Sequence, residues 1–387
     1  MNEAADRLNE VRAMMKDIFV ARDAEIDGLS LALVAGTNML LLGPPGTAKS
    51  MLSTTFGSAI GCGRIYERLL GAFSVPDEVF GPFNPQRLLE GVYERNVEGY
   101  LPDAEFAYLD EIFNAQQELL TTMNTVLNEK KFDQGTQRIK CPLQMAVGAA
   151  NVYPEGDLAM AALYDRFLIR FWTPYTSSRE EKMALLKLAV HGNNVSEARL
   201  QPGDIDALHQ LRDQVTVSDS IMELQCDIEE ALRTAGFVIS DRRSMAQIKL
   251  LRASAVLAGR DHVIPSDMFV LADSLWDKHE DRPTVWKIIA QHIDQGMLRA
   301  RALYDAVLVE FDKVDLKAKD NVHDVSRPAS KARAALSARI KQARREIQND
   351  PEIEDSEQVD KILNKLRALH GQVARAIRTL DIMVPVR

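Results

Sequence analysis

An α/β fold with a parallel sheet, followed by all-helical segments, is predicted by three observations. Between residues 38 and about 175, strand-like and helix-like segments alternate, as they do when parallel strands are joined by crossover helices. One apolar run, Met39 to Leu42, feeds directly into a loop of Gly43, Pro44, Pro45, Gly46, Thr47, Ala48, Lys49 and Ser50 and then into a helical continuation. From residue 178 onward, apolar residues recur at helical spacing with almost no strand signal. The segmentation that follows is an α/β core over 1–177, an all-helical domain over 178–278 and a helical bundle over 279–387.

The elements follow in order. Leu8, Val11, Met15, Ile18 and Phe19 recur at helical spacing, and a second helix is expected over Asp23–Val34. Candidate strands are Met39–Leu42, Arg64–Arg68, Phe106–Leu109, Gln144–Ala149 and Phe167–Trp172. Arg179–Val190, Ile205–Gln214 and Arg242–Leu257 read as amphipathic helices, and Pro265-Ser-Asp-Met268 as a helix start capped by Ser266. Val285–Val314, Ala329–Ile347 and Val359–Leu380 carry helical apolar stripes, the last close to a heptad, with Pro351 breaking the turn between the second and third. These three make the bundle. A basic stripe on it (Lys341, Arg344, Arg345) reads as solvated surface.

Composition narrows the class. The chain of 387 residues is 46% hydrophobic and 27% charged, with a net charge of −9. That is ordinary for a soluble globular protein, and an acidic chain has no general pull toward nucleic acid or anionic membrane. No run approaches the ~20 apolar residues of a membrane span. The first residues lack the basic and apolar regions of a signal peptide, so a cytoplasmic protein is expected. Three scattered cysteines, Cys62, Cys141 and Cys226, fit reduced, mostly buried thiols rather than a disulfide framework or zinc site.

The chemistry starts at the loop. Gly43–Ser50 turns backbone N–H groups around an anion, and the following helix adds its positive N-terminal end. Lys49 is spaced to reach the β- and γ-phosphates of a nucleotide, and the Ser50 hydroxyl to hold Mg²⁺. This is a Walker A pattern with Ala48 in place of the glycine before the lysine, a substitution of little cost if residue 48 already has helical φ. Phe106-Ala-Tyr-Leu109 ends in two carboxylates: Asp110, placed to hold the Mg²⁺ shell, and Glu111, placed to polarise an attacking water. Asn151 ends the Gln144 strand, where its amide either orients the same water or caps a turn before Pro154. Arg166 and Arg170 follow in Leu163-Tyr-Asp-Arg-Phe-Leu-Ile-Arg170. A guanidinium from outside the loop is worth about 10³–10⁵ in phosphoryl-transfer rate, whereas a single arginine is otherwise a surface ion pair. Ser240-Asp-Arg242-Arg243 opens a helix from which an arginine could fold back onto the nucleotide.

These features occur in the order used by AAA+ ATPases: Walker A, Walker B, sensor 1, arginine finger, sensor 2. The blocks Val75-Pro-Asp-Glu-Val-Phe-Gly81, Leu109-Asp-Glu-Ile112, Leu163-Tyr-Asp-Arg-Phe167 and Ser240-Asp-Arg-Arg243, with Gly259-Arg-Asp-His-Val-Ile-Pro265, resemble the MoxR family. The spelling Pro-Pro-Gly-Thr-Ala-Lys-Ser and Tyr-Asp-Arg is most similar to its RavA-type branch, in which alanine before the lysine is normal. The resemblance covers roughly residues 5–320. It implies an AAA+ P-loop core with a parallel sheet, a helical lid bearing sensor 2, and Mg²⁺-dependent ATP hydrolysis. It makes Lys49 and Ser50 phosphate and Mg²⁺ ligands, Asp110 and Glu111 Walker B, and Asn151 sensor 1. Arg166 becomes the finger with Arg170 as alternative, and Arg242 sensor 2 with Arg243 adjacent. It also implies a hexameric ring acting as a chaperone-like remodeller beside a von Willebrand factor A (vWA) domain protein. The β-rich insert of the RavA-type C-terminal region is missing, since only a short joint around Lys317–Arg327 stands there. The hairpin around Lys131–Lys140 and the loop near Glu90–Tyr100 are expected, by analogy, to line the ring centre. Two other readings remain: a nucleic-acid motor or loader, disfavoured by acidity and the lack of an aromatic–basic platform, and a magnesium-chelatase-like ATPase subunit. A scaffold that binds ATP without hydrolysing it is disfavoured by the intact Asp110–Glu111 pair.

Overall fold

The computed structural model describes residues 3–135, 137–151, 153, 163–191, 197–293, 303–304, 306–311, 313–314, 328–349 and 357–382. The chain divides into two compact units, Met1–Val285 and Trp286–Arg387. The first is built on a five-stranded sheet of β1 (Asn38–Leu42), β2 (Ile65–Leu69), β3 (Phe106–Asp110), β6 (Met145–Ala150) and β7 (Phe167–Trp172), in spatial order β2-β3-β6-β1-β7. All four pairings are parallel. Each strand coincides with a predicted one to within about a residue at either end. The central strands β1 and β6 are buried along their whole length, as parallel strands covered on both faces require.

Helices α1 (Glu3–Ile18) and α2 (Asp23–Ala35) precede the sheet, and α2 packs on β1 and β7. Helix α3 (Lys49–Ala59) packs on β2, β3 and β6. Two short helices, α4 (Pro76–Phe80) and α5 (Pro85–Leu89), and then α6 (Gln117–Glu129), complete the connections. The predicted hairpin is present as β4 (Lys131–Gln134) antiparallel to β5 (Gln137–Lys140). In the segment Glu90–Tyr100, Arg95 bridges back to Phe83 and lays its guanidinium 4.0 Å from that ring.

Four further helices, α7 (Arg179–His191), α8 (Asp204–Gln214), α9 (Asp219–Thr234) and α10 (Asp241–Leu257), form the helical part of this unit. α8 and α10 pack on α2. An Arg7–Asp204 pair, with two hydrogen bonds of 2.7 Å, fastens α1 to α8. At Pro265 the expected Ser266 cap is replaced by Asp267, which accepts the Ile264 N–H at 2.9 Å while also holding Arg260. The element is a 3₁₀ helix, Pro265–Asp273, that starts one residue before Ser266, so Ser266 lies inside its first turn and the cap position falls on Ile264.

The second unit holds the later part of α11 (Arg282–Ile293) and two long helices, α12 (Pro328–Asn349) and α13 (Glu357–Ile382). α12 and α13 pack together, with Leu336, Ile340, Ala343 and Ile347 buried on one and Ile362, Leu363, Leu366 and Val373 on the other. The single stripe expected over Val285–Val314 is helical over α11 and again at 306–311, and residues 294–302 between them lie outside the described residues. So do the joint Lys317–Arg327 and the turn at Pro351. Lys341 and Arg345 are exposed. Cys62 and Cys141 are buried, which pushes their thiols up to about 12 and about 11, and Cys226 is exposed.

Candidate nucleotide site

The loop Gly43–Ala48 leaves the C-terminal end of β1 and enters α3, as its sequence requires. Gly43 has φ +144, and a Cβ there would lie 2.4 Å from the Thr173 carbonyl oxygen, so the residue must be glycine. Its N–H donates to Ala150 O at 3.1 Å, tying the loop to β6. Ala48 corrects the sequence expectation. It stands at φ 67, ψ 24, in the left-handed region rather than in helical φ. As the residue immediately before α3 it is still reversing the chain to turn the loop inward, which is the conformation the usual glycine supplies without cost. Alanine there carries strain of about 1–2 kcal/mol.

Lys49 begins α3 and is 7% exposed. Its ammonium donates to Gly43 O at 2.6 Å, Pro44 O at 3.0 Å and Asn151 Oδ1 at 3.3 Å. Burial pulls its pKa below the ordinary lysine value, Asp110 and Glu111 oppose that, and Arg22 adds to it. None of its hydrogen-bond partners among the described residues is a carboxylate. A buried cation held only by neutral oxygens fits an incoming phosphate.

Asp110 closes β3, and one of its oxygens accepts the Glu111 N–H at 3.0 Å. Burial, and then the Asp110 charge two residues along the strand, push the Tyr108 phenol up. Glu111 sits at φ 50, ψ 43. Both of its carboxylate oxygens are engaged by amides: Oε1 accepts a short bond from Asn151 Nδ2, and Oε2 accepts from Asn114 Nδ2 at 3.3 Å. Asn151 thus links Lys49 to Glu111, which joins the ends of β3 and β6 to the loop. Mg²⁺ takes one or two protein oxygens and completes its shell with water and phosphate. Ser50 and Asp110 fit that demand.

Two features at this site have no motif in the sequence. Arg22, 6% exposed and just before α2, donates to Thr47 O at 3.2 Å and to Pro174 O at 2.8 Å, bracing the phosphate loop from behind. Beside it lies a cavity of about 300 Å³ whose apolar walls include Ile18, Phe19 and Val20, Met51, and Leu185 and Leu188 of α7. Its position against Gly46–Ala48 and its lining suit a nucleobase. Three of the four described non-glycine residues with positive φ, namely Ala21, Ala48 and Glu111, flank this region. Strain gathered in this way marks functional sites.

The arginines lie elsewhere. β1 and β7 run parallel with Asn38 opposite Phe167 and Leu42 opposite Trp172. Arg166 therefore precedes the end of β7 that is remote from the loop, about 13 Å of strand away at ~3.3 Å per residue. Arg170 is fully buried, donating to Trp276 O at 2.5 Å, Asp277 Oδ1 at 3.2 Å and Phe167 O at 3.2 Å, with its guanidinium 3.8 Å from the Tyr164 ring. Burial pushes its pKa down to about 10. Such a side chain braces its own copy and cannot project to another. Arg242 is exposed, whereas Arg243 is buried and pairs with Asp165 Oδ1 at 2.7 Å. That pairing holds the start of α10 beside Asp165 rather than over the loop.

Residues 6–213 match the family model described as the MoxR domain in the MoxR-vWA-beta-propeller ternary systems. The chain belongs to the MoxR family of AAA+ ATPases. Residues 216–289 match the AAA lid domain, which covers α9, α10 and most of α11. Relatives of this MoxR chain include an uncharacterized protein, MJ0079, of Methanocaldococcus jannaschii, 31% identical over 75% of each chain. Another is Chaperone MoxR1 of Mycobacterium tuberculosis, 25% identical over 84% of this chain and 87% of that protein. The crystal structure of a protein assigned as an ATPase from Cytophaga hutchinsonii superposes with a TM-score of 0.61 at 18% identity, covering 75% of this chain and 94% of the other. At that identity the likeness establishes the fold. Membership of this family makes the chain a MoxR-type AAA+ ATPase, and no described helix is long and apolar enough to cross a membrane.

Proposed function

We propose that this chain is a Mg²⁺-dependent ATPase working as a hexameric ring in the cytoplasm, in which each ATP is shared by two copies. One copy would supply Gly43–Ser50, Asp110, Glu111 and Asn151, and its neighbour would supply Arg166. The observation that carries this reading is the placement of Arg166 at the end of β7 remote from its own loop, with Arg170 locked inside. Ser50 and Asp110 would hold Mg²⁺, which neutralises charge on the β- and γ-phosphates. Lys49 would exchange its carbonyl partners for phosphate oxygens. Asn151, drawn toward the same phosphate, would release Glu111 to orient the attacking water. Arg242, the exposed member of its pair, is the sensor 2 candidate that would fold back onto the nucleotide and report its state to the lid.

The matched family description names MoxR–vWA–beta-propeller systems, and one relative is named a chaperone. These support remodelling of a client protein together with a vWA-domain partner. The RavA-type likeness rests on motif spelling alone. The β4–β5 hairpin and the segment Glu90–Tyr100 are the proposed ring-centre elements.

Glu111→Gln should retain ATP and lose turnover, measured by filter binding and phosphate release. Arg166→Ala should lose turnover and regain part of it when mixed with Lys49→Ala, because a site is complete wherever the loop of an Arg166→Ala copy faces the Arg166 of a Lys49→Ala neighbour. Absence of any rescue in rings shown to be mixed refutes the shared site.

A further inference from the structure

We propose that Asp165 and Asp277 are positioning residues for Arg166. They neutralise Arg243 and Arg170 within one copy, so that Arg166 alone remains to meet the negative charge of the nucleotide bound by the next copy. This rests on the shared-site reading above.

Arg166 immediately precedes β7, Arg170 lies on it, and Arg243 reaches the same segment by pairing with Asp165. Two carboxylates face them. Asp165 Oδ1 is 2.7 Å from Arg243 Nη2. Asp277 Oδ1 lies 3.2 Å from Arg170 Nη1 and 3.8 Å from Arg243 Nη1. Among the described residues both carboxylates are taken up by Arg170 and Arg243, and neither pairs with Arg166. Nε and Nη1 of Arg166 are both buried, and neither has a hydrogen-bond partner among the described residues. A guanidinium in that condition is costly unless an anion completes it.

The same contacts fix where Arg166 sits. On its N-terminal side the Tyr164 hydroxyl donates to Asp277 O at 2.7 Å, and the Tyr164 ring underlies Arg170. Asp165, the next residue, is tied to α10 through Arg243, and the first turn of α10 is set by Ser240, whose hydroxyl oxygen accepts the Arg243 N–H at 3.2 Å. Movement of α10 is therefore passed to the segment before β7 through the ion pairs of Arg243 and the packing of α10 on β7. Removing the Asp165 charge leaves Arg243 with only the longer contact to Asp277 and unties the residue next to Arg166 from α10.

The test uses the full-length protein and steady-state ATP hydrolysis. Asp165→Asn is expected to lower kcat at least about tenfold with KM for ATP within about twofold of the parent, because the variant's own phosphate loop is untouched. Asp165→Glu, which keeps the charge, should recover part of the loss. Mixing Asp165→Asn with Lys49→Ala should restore turnover above either variant alone, since the Lys49→Ala copies present an intact Arg166. A role confined to folding would not give that split or that rescue. Should Asp165→Asn fail to fold, Asp277→Asn, at a half-exposed carboxylate, gives the same reading with a smaller fall in kcat at constant KM. Parental kcat in either variant overturns the proposal. So does rescue of Arg166→Ala but not of Asp165→Asn. If neither is rescued, the shared-site reading falls as well.

Discussion

The two glycines of the phosphate loop give a quantitative test of its geometry. Gly43 has φ +144 and Gly46 has φ +77, so alanine is strained at both. They differ in surroundings. A Cβ on Gly43 would lie 2.4 Å from Thr173 O, a backbone atom, whereas a Cβ on Gly46 would meet nothing within 4 Å. Gly46→Ala therefore costs only the backbone strain, about 1–2 kcal/mol. Gly43→Ala adds the displacement of the β7 end, which cannot yield easily. Thr173 N–H bonds Leu42 O at 2.7 Å, and Gly43 N–H bonds Ala150 O at 3.1 Å, so three strands meet at this point. Overpacking of this kind adds about 1–3 kcal/mol. Thermal unfolding should then place Gly43→Ala below Gly46→Ala by roughly 2–12 °C, taking ~2–4 °C per kcal/mol for a domain of this size. ATP-analogue binding should fall in both. Equal melting temperatures for the two variants would falsify the close approach of the loop to β7.

Other outcomes follow from the same geometry. Ala48→Gly relieves the left-handed strain and raises unfolded-state entropy, so stability should change by less than about 1 kcal/mol. A loss of 2 kcal/mol by chemical denaturation would contradict the left-handed assignment. Arg170→Met strands the Trp276 carbonyl and the Tyr164 carbonyl, which accepts from Arg170 Nη2 at 3.4 Å, and should destabilise by about 1–3 kcal/mol per carbonyl left unpaired, and Lys49→Ala should not rescue it in mixed rings. Asp204 is held below the usual carboxylate range, first by its hydrogen bond from Arg7. Its contribution is full above about pH 4, the ordinary aspartate value, and is lost as pH falls through the lower folded value. The urea midpoint should drop on going from pH 5 to pH 3, and Asp204→Asn should flatten that drop.

Much of the site was legible because its residues are contiguous or are fixed by strand ends. A strand entering a glycine-rich loop sets Lys49 and Ser50 by spacing alone. Apolar runs ending in Asp110-Glu111 and in Asn151 place those side chains at one end of a parallel sheet, since parallel strands all point the same way. The conformation of Ala48 was misjudged because spacing shows where a helix begins but not the φ of the residue before it. Arg22 was missed for another reason: nothing local marks it, and its partners, Thr47 and Pro174, lie 25 and 152 residues away.

What the sequence determined by itself was therefore the chemistry at the strand ends: a phosphate loop, two acids and an amide, in an order that identifies the family. What only the tertiary structure decided was the division of labour among the arginines. Arg166, Arg170, Arg242 and Arg243 are alike as letters. Folding buries Arg170 against carbonyls, pairs Arg243 with Asp165 across the chain, exposes Arg242 and leaves Arg166 without an anion among the described residues. Which charge is neutralised depends on Asp165 and Asp277, far apart in the chain, being brought within 2.7 and 3.8 Å of the same Arg243, and no local pattern encodes that encounter.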